Sequence, residues 1–415
     1  MTGDRRGDRV IDDTFDRPAP DRPIADFVLR HVHERGPITV AAFMDLALYN
    51  PACGYYATSP RRSGRRGDFV TSVDVGSLFG DLLEIQIAEM ADMLAEAPAA
   101  KAEAFRPDAR RQRPAAPDFD LVEAGAGSGT LSSDILRAAR QRNPALYART
   151  RLHLVEASPA ARAAQRETLG DLAERLASSG DQVPAFDGVL FANELLDALP
   201  VHQVVMRESG LKEIYVASRD GQLGTIEGPP SSQALAEYLD RLGVRLEPGW
   251  RAEIGLRAVS WVHNAARRLG RGFLIFLDYG HSARELYSVT HSQGTLTTFD
   301  RHVASDPALA STPAWLRRPG QQDITAHVDF TSVEQAAHEE GLVTLGFLDQ
   351  TYFILGLLNP LNPLNLLNLE NLDRRLALKS LLLPGGLGST LKVLILGKNV
   401  GTPALAGCSY RMRVT

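Results

Sequence analysis

Three acidic residues, Glu123, Glu156 and Asp278, each close a short apolar run of the sequence. Apolar runs of this length predict buried strands, and open α/β sheets bind ligands beyond the carboxyl ends of their strands. A carboxylate in that position can bind a cation, or it can accept hydrogen bonds from two adjacent hydroxyl groups through its two oxygens. The three acids therefore predict a ligand site along one edge of a sheet, with Glu156 suited to the hydroxyls of a ribose.

A glycine-rich turn follows the first of these acids, in the sequence D-L-V-E-A-G-A-G-S-G-T at residues 120–130. Turns of this kind between a strand and a helix bind either dinucleotides or S-adenosylmethionine. The dinucleotide pattern G-x-G-x-x-G/A fails because Thr130 takes its sixth position, and Glu156 lies 31 residues after Gly125, where about 20 are expected. A carboxylate at Glu123 would repel a pyrophosphate and suits a cationic methionine-type ligand. A structural tight turn without a ligand is the alternative.

A second polar group stands at the end of the run F-D-G-V-L-F-A-N, which predicts a strand at residues 186–193. Asn193 ends this strand, and Glu194 and Asp197 follow it. The two acids are three residues apart and can share a face of a helix. Acids at a helix start can simply stabilise the helix dipole. Three polar groups at the carboxyl end of one strand favour a binding role instead.

Two further segments are candidates for function. Residues 61–72, R-R-S-G-R-R-G-D-F-V-T-S, are basic, broken by glycine and irregular, which is typical of a lid or binding loop, although a solvated basic loop has the same composition. Residues 281–330 show little periodicity, which in a compact domain indicates a functional or disordered stretch. The histidines of this stretch are too scattered along the sequence to show metal-ligand spacing, so the sequence predicts no metal site; they are His281, His291, His302 and His327.

Strand patterns alternate with helix patterns along most of the chain, which predicts an α/β fold with a parallel-rich sheet and helices on both faces. A helical part precedes this sheet, and an α+β region is inserted into it. Later helices are expected at 253–269 and, after a loop, at 364–383. The Asn- and Leu-rich stretch at 358–372 lacks the recurring unit of a leucine-rich repeat, and its role is not assigned.

The predicted divisions of the chain follow from these patterns. They are a disordered tail at 1–22, an N-terminal helical or lid region at 23–94, a linker at 95–117, the first half of the core at 118–200, an inserted hairpin and helices at 201–271, the second half of the core at 272–400 and a C-terminal tail at 401–415.

Composition argues against several classes of protein. The net charge of −5 gives no electrostatic footprint for nucleic acid. Cys53 and Cys408 are the only cysteines and lie far apart, which argues against a disulfide framework and fits a reducing compartment. No apolar stretch reaches the 18 residues of a membrane span, and no secretory or transit signal is recognisable, so we expect a cytoplasmic protein.

Several motifs follow one another in the order G-R-R-G-D-F-V-T-S, S-L-F-G-D, E-A-G-A-G-S-G, V-E-A-S-P, A-N-E-L-L-D-A-L-P, L-D-Y-G-H, Q-G-T-L and P-G-Q-Q-D-I-T-A-H-V-D-F. In this combination, over residues 23–397, the chain resembles the MidA-type class I S-adenosylmethionine-dependent methyltransferases, whose mitochondrial members assist respiratory complex I assembly by methylating an arginine of a subunit. The pair A-N-E-x-x-D-A-L-P and D-I-T-A-H-V-D-F is specific to this family, whereas the glycine turn alone is not.

The resemblance implies a Rossmann-like fold with S-adenosylmethionine as the cofactor. The cofactor contacts that it implies are Glu123, Gly125, Gly127, Glu156 and Asn193, with Gly67, Phe69 and Thr71 closing over the cofactor. For the transfer step, we expect an acidic pocket that orients an arginine guanidinium. Its members would be Glu194 and Asp197 together with Asp68 and Asp278. His327 is a weaker candidate, as a general base.

The resemblance leaves the methyl acceptor open. The family has Pro-Glu and Ile-Ser where this chain has Val73-Asp74 and Val75-Gly76, in a segment expected to cover the acceptor. A protein arginine is the first expectation, and a peptide or a small molecule is the alternative; a homodimer is an expected assembly. Two other functions compete. One is an S-adenosylmethionine-binding assembly protein without essential turnover, and the other is an NAD-dependent oxidoreductase, which the glycine spacing disfavours.

Overall fold

The structure is a computed structural model that describes residues 24–57, 72, 76–96, 118–219, 221–300, 303–304, 312–358, 371–383 and 391–410. The tail predicted at 1–22 and most of the linker predicted at 95–117 lie outside these residues. So do four predicted site residues: Gly67, Asp68, Phe69 and Thr71. No helix among the described residues is long and apolar enough to cross a bilayer.

The strands formed by the described residues are β1 (Ile38–Thr39), β2 (Phe119–Ala124), β3 (Thr150–Val155), β4 (Leu176–Gly180), β5 (Phe186–Asn193), β6 (His202–Arg207), β7 (Gly210–Arg219), β8 (Gln222–Gly228), β9 (Arg251–Ile254), β10 (Leu269–His281), β11 (Thr297–Asp300), β12 (Val303–Ala304), β13 (Asp323–Thr325), β14 (Val328–Asp329), β15 (Val343–Asp349) and β16 (Leu391–Lys398).

The α-helices of the same residues are α1 (Ile24–Arg35), α2 (Val40–Tyr49), α3 (Leu78–Ala95), α4 (Thr130–Arg142), α5 (Pro144–Arg149), α6 (Pro159–Leu169), α7 (Ala234–Arg241), α8 (Leu256–Arg268), α9 (Ala283–Leu286), α10 (Phe330–Glu339), α11 (Gln350–Leu357) and α12 (Leu372–Leu382). Short 3₁₀ helices lie at Gly170–Arg175, Val289–His291, Ala314–Leu316 and Ala406–Cys408.

The central sheet confirms the predicted α/β fold. Within the described residues its order is β15-β16-β10-β5-β2-β3-β4, with β14 also paired to β10. The strands from β10 to β4 are parallel, whereas β16 and β15 are antiparallel to their neighbours. Parallel strands bring their carboxyl ends to one edge, and the register there places Glu123 beside Phe191 and Asn193 beside Leu277.

Strand β10 shows why this sheet is apolar on both faces. Successive side chains of a strand point to opposite faces. Phe273, Ile275 and Leu277 enter a core that includes residues of α3 and α4. Leu274 and Phe276 enter a second core with residues of α8 and α10. All five side chains are fully buried because helices cover both sides of the strand.

A second sheet joins two parts of the chain that are far apart in sequence. Its order is β1-β7-β6-β9, with β8 also paired to β7. Ile38 of β1 pairs with Val216 of β7, and α1 and α2 share a core with this sheet. The hairpin predicted around Gly210 is the turn between β6 and β7. The N-terminal helical part and the inserted region therefore form one packed unit.

Three predictions of local structure are wrong in part. The helix expected at 253–269 begins at Leu256, because the residues before it form β9 and pair with β6. Part of the loop expected before residue 364 is instead the end of α11, whereas the helix expected at 364–383 is present at Leu372–Leu382, and 364–370 lie outside the described residues. The stretch 281–330 contains α9 and the strands β11 to β14, each too short to show a periodic pattern in the sequence.

Candidate active site

The glycine turn after β2 has a backbone that only glycine adopts easily. Gly125, Gly127 and Gly129 have φ angles of +70°, +51° and +84°, in the left-handed region where other L-residues are strained. A Cβ placed on Gly125 would lie 3.2 Å from Leu195 Cδ1, whereas one on Gly127 would meet nothing within 4 Å. The turn is therefore packed on the side of Gly125 and open on the side of Gly127, where a ligand can approach the backbone.

Glu123 is buried beneath this turn. Its Oε2 accepts hydrogen bonds from the backbone nitrogen of Ser132, at 3.1 Å, and from the Ser132 hydroxyl. Burial raises the pKa of Glu123 to about 8, with the nearby carboxylates of Glu156 and Asp134 adding to the shift and Ser132 opposing it. A cation placed beside Glu123 would favour its ionised form, which matches the cationic ligand expected from the sequence.

Glu156 holds the turn in place from the end of β3. Its Oε2 accepts a hydrogen bond from Gly127 N at 2.8 Å, and its Oε1 accepts one from Ser158 N at 2.7 Å. A carboxylate offers about four lone-pair sites, so each oxygen can accept one further hydrogen bond, as a ribose would require. The sequence reasoning assigned no role to Gln165, whose Nε2 donates to Gly127 O at 2.9 Å and fixes the turn from a third direction.

Asn193 presents a buried polar atom without a partner. Its Nδ2 donates to Glu194 Oε1 at 3.2 Å, but its Oδ1 is buried and has no hydrogen-bond partner among the described residues. An unsatisfied buried acceptor costs free energy unless a ligand donates to it. Together with the open side of Gly127, this acceptor fits a ligand bound at the carboxyl ends of β2, β3 and β5. The residues present are therefore suited to S-adenosylmethionine.

Glu194 has a strained backbone conformation. Its φ angle is +52°, which is rare for a residue other than glycine and clusters at functional sites. Its backbone nitrogen donates to Leu277 O at 2.8 Å, and its Oε1 accepts from Ser72 N at 3.3 Å. Ser72 is the one described residue of the basic segment 61–72, and this contact joins it to the end of β5.

Asp197 and Asp278 form a buried carboxyl pair beside Glu194. Asp278 Oδ2 accepts hydrogen bonds from Leu195 N at 3.1 Å and Leu196 N at 2.7 Å. Burial and the proximity of the other acids raise the pKa of Asp197, and burial raises that of Asp278. No arginine or lysine in the described parts of the chain forms an ion pair with either acid.

Two tyrosines and an aspartate that the sequence reasoning did not select also lie at this edge. Tyr56 OH donates to Asp323 Oδ1 at 2.8 Å, and Tyr49 OH donates to the carbonyl of Ala198 at 3.0 Å. The two ring centroids lie 5.4 Å apart, and burial, with smaller contributions from Asp323 and Asp197, raises the pKa of Tyr49. The motif D-I-T-A-H-V-D-F contained Asp323, whereas Tyr49 gave no signal because its partner lies far along the sequence.

Three of the histidines that are scattered along the sequence lie together in the folded chain. The ring centroids of His281 and His291 lie 4.7 Å apart, those of His281 and His327 lie 5.2 Å apart, and those of His291 and His327 lie 6.0 Å apart. Burial and the two neighbouring imidazoles lower the pKa of His327 to about 4. His302 lies outside the described residues. The folded chain, and not the local sequence, brings these histidines together.

The predicted site residues thus fall into three groups. Glu123, Gly125, Gly127, Glu156 and Asn193 converge at the carboxyl ends of β2, β3 and β5. Glu194, Asp197 and Asp278 make an acidic group at the adjacent ends of β5 and β10. His327 lies in the histidine cluster after β13. The first group offers the polar atoms that a cofactor would need, and the second offers three carboxyl groups to which a cation could bind.

Known proteins resemble this chain over most of its length. The family model described as "Putative S-adenosyl-L-methionine-dependent methyltransferase" matches residues 102–348. The mitochondrial protein arginine methyltransferase NDUFAF7 of Danio rerio is 28% identical over 358 residues, which cover 79% of this chain and 75% of that protein. The Drosophila melanogaster homologue is 30% identical over 358 residues, which cover 77% of this chain and 71% of that protein.

A solved structure supports the same relationship. A COG1565 superfamily member from Burkholderia thailandensis, described as a likely methyl transferase and crystallised with S-adenosyl-homocysteine, is 27% identical to this chain. The two structures superpose with a TM-score of 0.77, covering 93% of this chain and 94% of that chain. The family model spans more than half of the present chain and includes the cofactor group at β2, β3 and β5. This chain therefore belongs to the family of S-adenosyl-L-methionine-dependent methyltransferases.

Proposed function

We propose that this methyltransferase transfers its methyl group to an arginine side chain of a protein. The observation that carries the proposal is the buried pair Asp197 and Asp278 beside Glu194, next to the cofactor group. Carboxyl groups held this close repel each other when ionised, and a bound cation relieves the repulsion. A guanidinium is the side chain whose planar fork pairs best with carboxylates.

The acids would contribute to the transfer by positioning and by proton transfer. S-adenosylmethionine supplies an electrophilic methyl group on a positively charged sulfur. Carboxylates that hydrogen-bond the guanidinium fix the direction of the attacking nitrogen, and alignment supplies much of the rate of an in-line displacement. As the nitrogen–carbon bond forms, the carbon–sulfur bond breaks and its electrons stay on sulfur. The methylated nitrogen then gives up a proton, which an ionised carboxylate of the Asp197–Asp278 pair accepts.

The raised pKa values of Asp197 and Asp278 suit these carboxyl groups to accepting the proton. A carboxyl group with an ordinary pKa is a weak proton acceptor near neutral pH, and a general base works best when its pKa lies near the working pH. Burial moves Asp278 toward this range. Tyr49 and Tyr56, which lie at the same edge, offer aromatic faces that favour a guanidinium over a neutral acceptor.

The relatives give independent support for the acceptor. The Danio rerio and Drosophila melanogaster proteins are both named as protein arginine methyltransferases. We also propose a cytoplasmic location, because the sequence has only two cysteines, Cys53 and Cys408, far apart along the chain, which argues against a disulfide framework and fits a reducing compartment.

A peptide-methylation experiment tests the acceptor. The purified chain is incubated with S-adenosylmethionine carrying a deuterated methyl group and a library of arginine-containing peptides, and mass spectrometry locates the label. We expect labelled arginine with the wild-type chain and a loss of about 10²–10⁴-fold in rate for Asp197→Asn, in line with the loss of a proton acceptor. Glu227→Gln is the matched control, because Glu227 is a surface acid of β8 that pairs with Arg207.

Each result has a separate meaning. Label on another atom would overturn the arginine assignment and leave methyl transfer intact. Full turnover by both Glu194→Gln and Asp197→Asn would remove the acids from the transfer step. Tight cofactor binding without transfer to peptides or to proteins of a cell extract would favour the binding protein without turnover. Calorimetric binding of S-adenosylmethionine to each variant shows that its fold is intact.

A further inference from the structure

Three imidazoles, His281, His291 and His327, lie together where β10 ends, beyond the cofactor and acid groups. One nitrogen from each ring lies within 4.8 Å of one nitrogen from each of the others. We propose that these three histidines bind a divalent transition-metal ion of the zinc class. Neither methyl transfer nor the acidic pocket described above requires this site, so it adds a ligand to the protein independently of its acceptor.

The spacing is close to that of a metal site. Zinc binds histidine nitrogen at about 2.0–2.1 Å, so the nitrogens of a tetrahedral site stand roughly 3.3 Å apart. Rings that start within 4.8 Å of each other reach this separation when each nitrogen moves by about 1 Å, which rotation of a side chain provides. The three rings are partly buried and come from the end of β10, a 3₁₀ helix and the segment between β13 and β14.

Glu285 orients two of the three rings. His291 Nδ1 lies 3.1 Å from the main-chain oxygen of Glu285, and His281 Nδ1 lies 3.0 Å from Glu285 Oε1. The second contact is close but poorly aligned, so it is an electrostatic contact more than a formed hydrogen bond. Histidines that bind metals usually donate their other ring nitrogen to a carbonyl or a carboxylate. Here a carbonyl and a carboxylate of one residue, Glu285, lie beside the Nδ1 atoms of the two rings.

His327 supplies an unsatisfied nitrogen to the same place. Its Nδ1 is buried and has no hydrogen-bond partner among the described residues. The backbone beside the ring is well anchored, since His327 N donates to Thr295 Oγ1 at 3.1 Å and Thr295 N donates to Glu253 Oε2 at 2.7 Å. A buried ring nitrogen without a partner costs free energy, and coordination to a metal removes that cost.

The donor set also indicates the kind of ion. Imidazole nitrogens suit zinc, copper, nickel and iron, whereas magnesium and calcium prefer oxygen ligands. Three histidines leave a fourth tetrahedral position for water or another ligand, as in open zinc sites and unlike closed structural ones. His281, at the end of β10, follows Asp278 by three residues.

A zinc titration of the full chain tests the site. The purified protein is treated with a chelator, and Zn²⁺ is then titrated in competition with a chromogenic chelator. We expect one ion per chain, and a loss of affinity of at least about 100-fold in each of His281→Ala, His291→Gln and His327→Ala, because each removes one of three ligands. Glu285→Gln should lose about 10–100-fold, the usual effect of losing a residue that orients a ligand.

The control is His33→Ala, which removes an exposed histidine of α1 and should leave the affinity unchanged. Cobalt(II) in place of zinc should give the intense visible absorption of a four-coordinate ion in the wild type and lose it in His291→Gln. Two results would overturn the proposal: wild-type affinity no higher than that of a triple histidine variant, or an equal loss in His33→Ala. Binding of S-adenosylmethionine by each variant in the absence of metal establishes that the variant is folded.

Discussion

Gly127 has a left-handed backbone conformation and also lies on the open side of the turn, where the cofactor is expected to bind. Gly127→Arg should abolish binding of S-adenosylmethionine, because the new side chain would occupy the open side of the turn. The strain of a left-handed residue, about 1–2 kcal/mol, is a separate effect. Gly243→Arg controls for it, since Gly243 also has a positive φ angle, +66°, and nothing within 4 Å of its Cβ position. Calorimetric titration of both variants should show lost binding only at Gly127; equal losses would attribute the effect to backbone strain.

The buried carboxyl group of Glu123 makes the stability of the cofactor-free protein depend on pH. Its pKa is about 8 in the folded chain against an ordinary value of 4.5. Between these values the folded state holds a proton that the unfolded state has lost, so the free energy of unfolding falls as the pH rises from about 4.5 to 8 and is level above that. One pKa unit corresponds to about 1.4 kcal/mol, so a shift from 4.5 to about 8 sets an upper bound of roughly 5 kcal/mol on this change in the free energy of unfolding.

Glu123→Gln should therefore raise the thermal midpoint of the cofactor-free protein at pH 8 and leave it unchanged near pH 5. The same variant should bind S-adenosylmethionine more weakly, because the carboxylate beside the cation is gone. Thermal unfolding at the two pH values and calorimetry provide the measurements. A variant less stable than wild type at pH 8 would show that Glu123 is ionised in the folded chain.

The sequence predicts the acids of the site better than it predicts their surroundings. Glu123, Glu156 and Asn193 could be located because each follows a recognisable strand, and strand ends are where ligands bind. The left-handed backbone of Glu194 could not be predicted, because its nitrogen is held by Leu277 on a different strand. The role of Tyr49 could not be predicted for the same reason, since its hydroxyl donates to the carbonyl of Ala198, 149 residues away.

Helices α3 and α4 are joined by a buried ion pair. Arg142 Nη2 donates to Glu84 Oε2 at 2.7 Å and to the main-chain oxygen of Asp81 at 2.7 Å, and the side chains of Arg142 and Glu84 are only 11% and 3% exposed. Arg142→Ala would leave Glu84 buried without its partner, at a cost of about 3–5 kcal/mol. Urea denaturation should show this loss.

Arg140→Ala on the same helix is the comparison. The ion pair of Arg140 with Asp171 is largely exposed, and exposed pairs contribute little to stability because water and salt screen them. Similar unfolding midpoints for the two arginine variants would mean that Glu84 takes up a proton, or reaches water, when Arg142 is absent.

Individual elements were predictable where their residues alone determine them. Strands β2, β5 and β10 are continuous apolar runs, and α6 begins with a serine cap followed by proline, a common start of a helix. The sequence did not reveal β9, because it is a strand only through its pairing with β6. The histidine cluster belongs to the same class of feature, since a fold that brings β10 and β14 together creates it.

At the scale of the whole molecule, α1, α2 and β1 cover the apolar face of the inserted strands and form one packed unit with them. Removing residues 1–49 would uncover buried side chains of this unit, among them Val205, Ile214 and Val216. We expect such a truncated chain to bind a hydrophobic dye and to lose cooperative unfolding of the insertion. Removing residues 1–22, which contain few apolar side chains, should change neither property. Cooperative unfolding of the longer truncation would show that the inserted strands fold without the N-terminal helices.

The pairing of Ile38 with Val216 also determines when, during synthesis of the chain, β1 can first join its sheet. The two residues are about 180 positions apart, and a ribosome adding about 5–20 residues per second needs roughly 10–35 s to cover that distance. Throughout this interval the apolar faces of α1 and α2 lack the sheet that covers them in the folded chain, so we expect the nascent chain to bind chaperones. Contacts of such long range are also slow to form in refolding. We therefore expect the part of the protein that is made first to be among the last to fold.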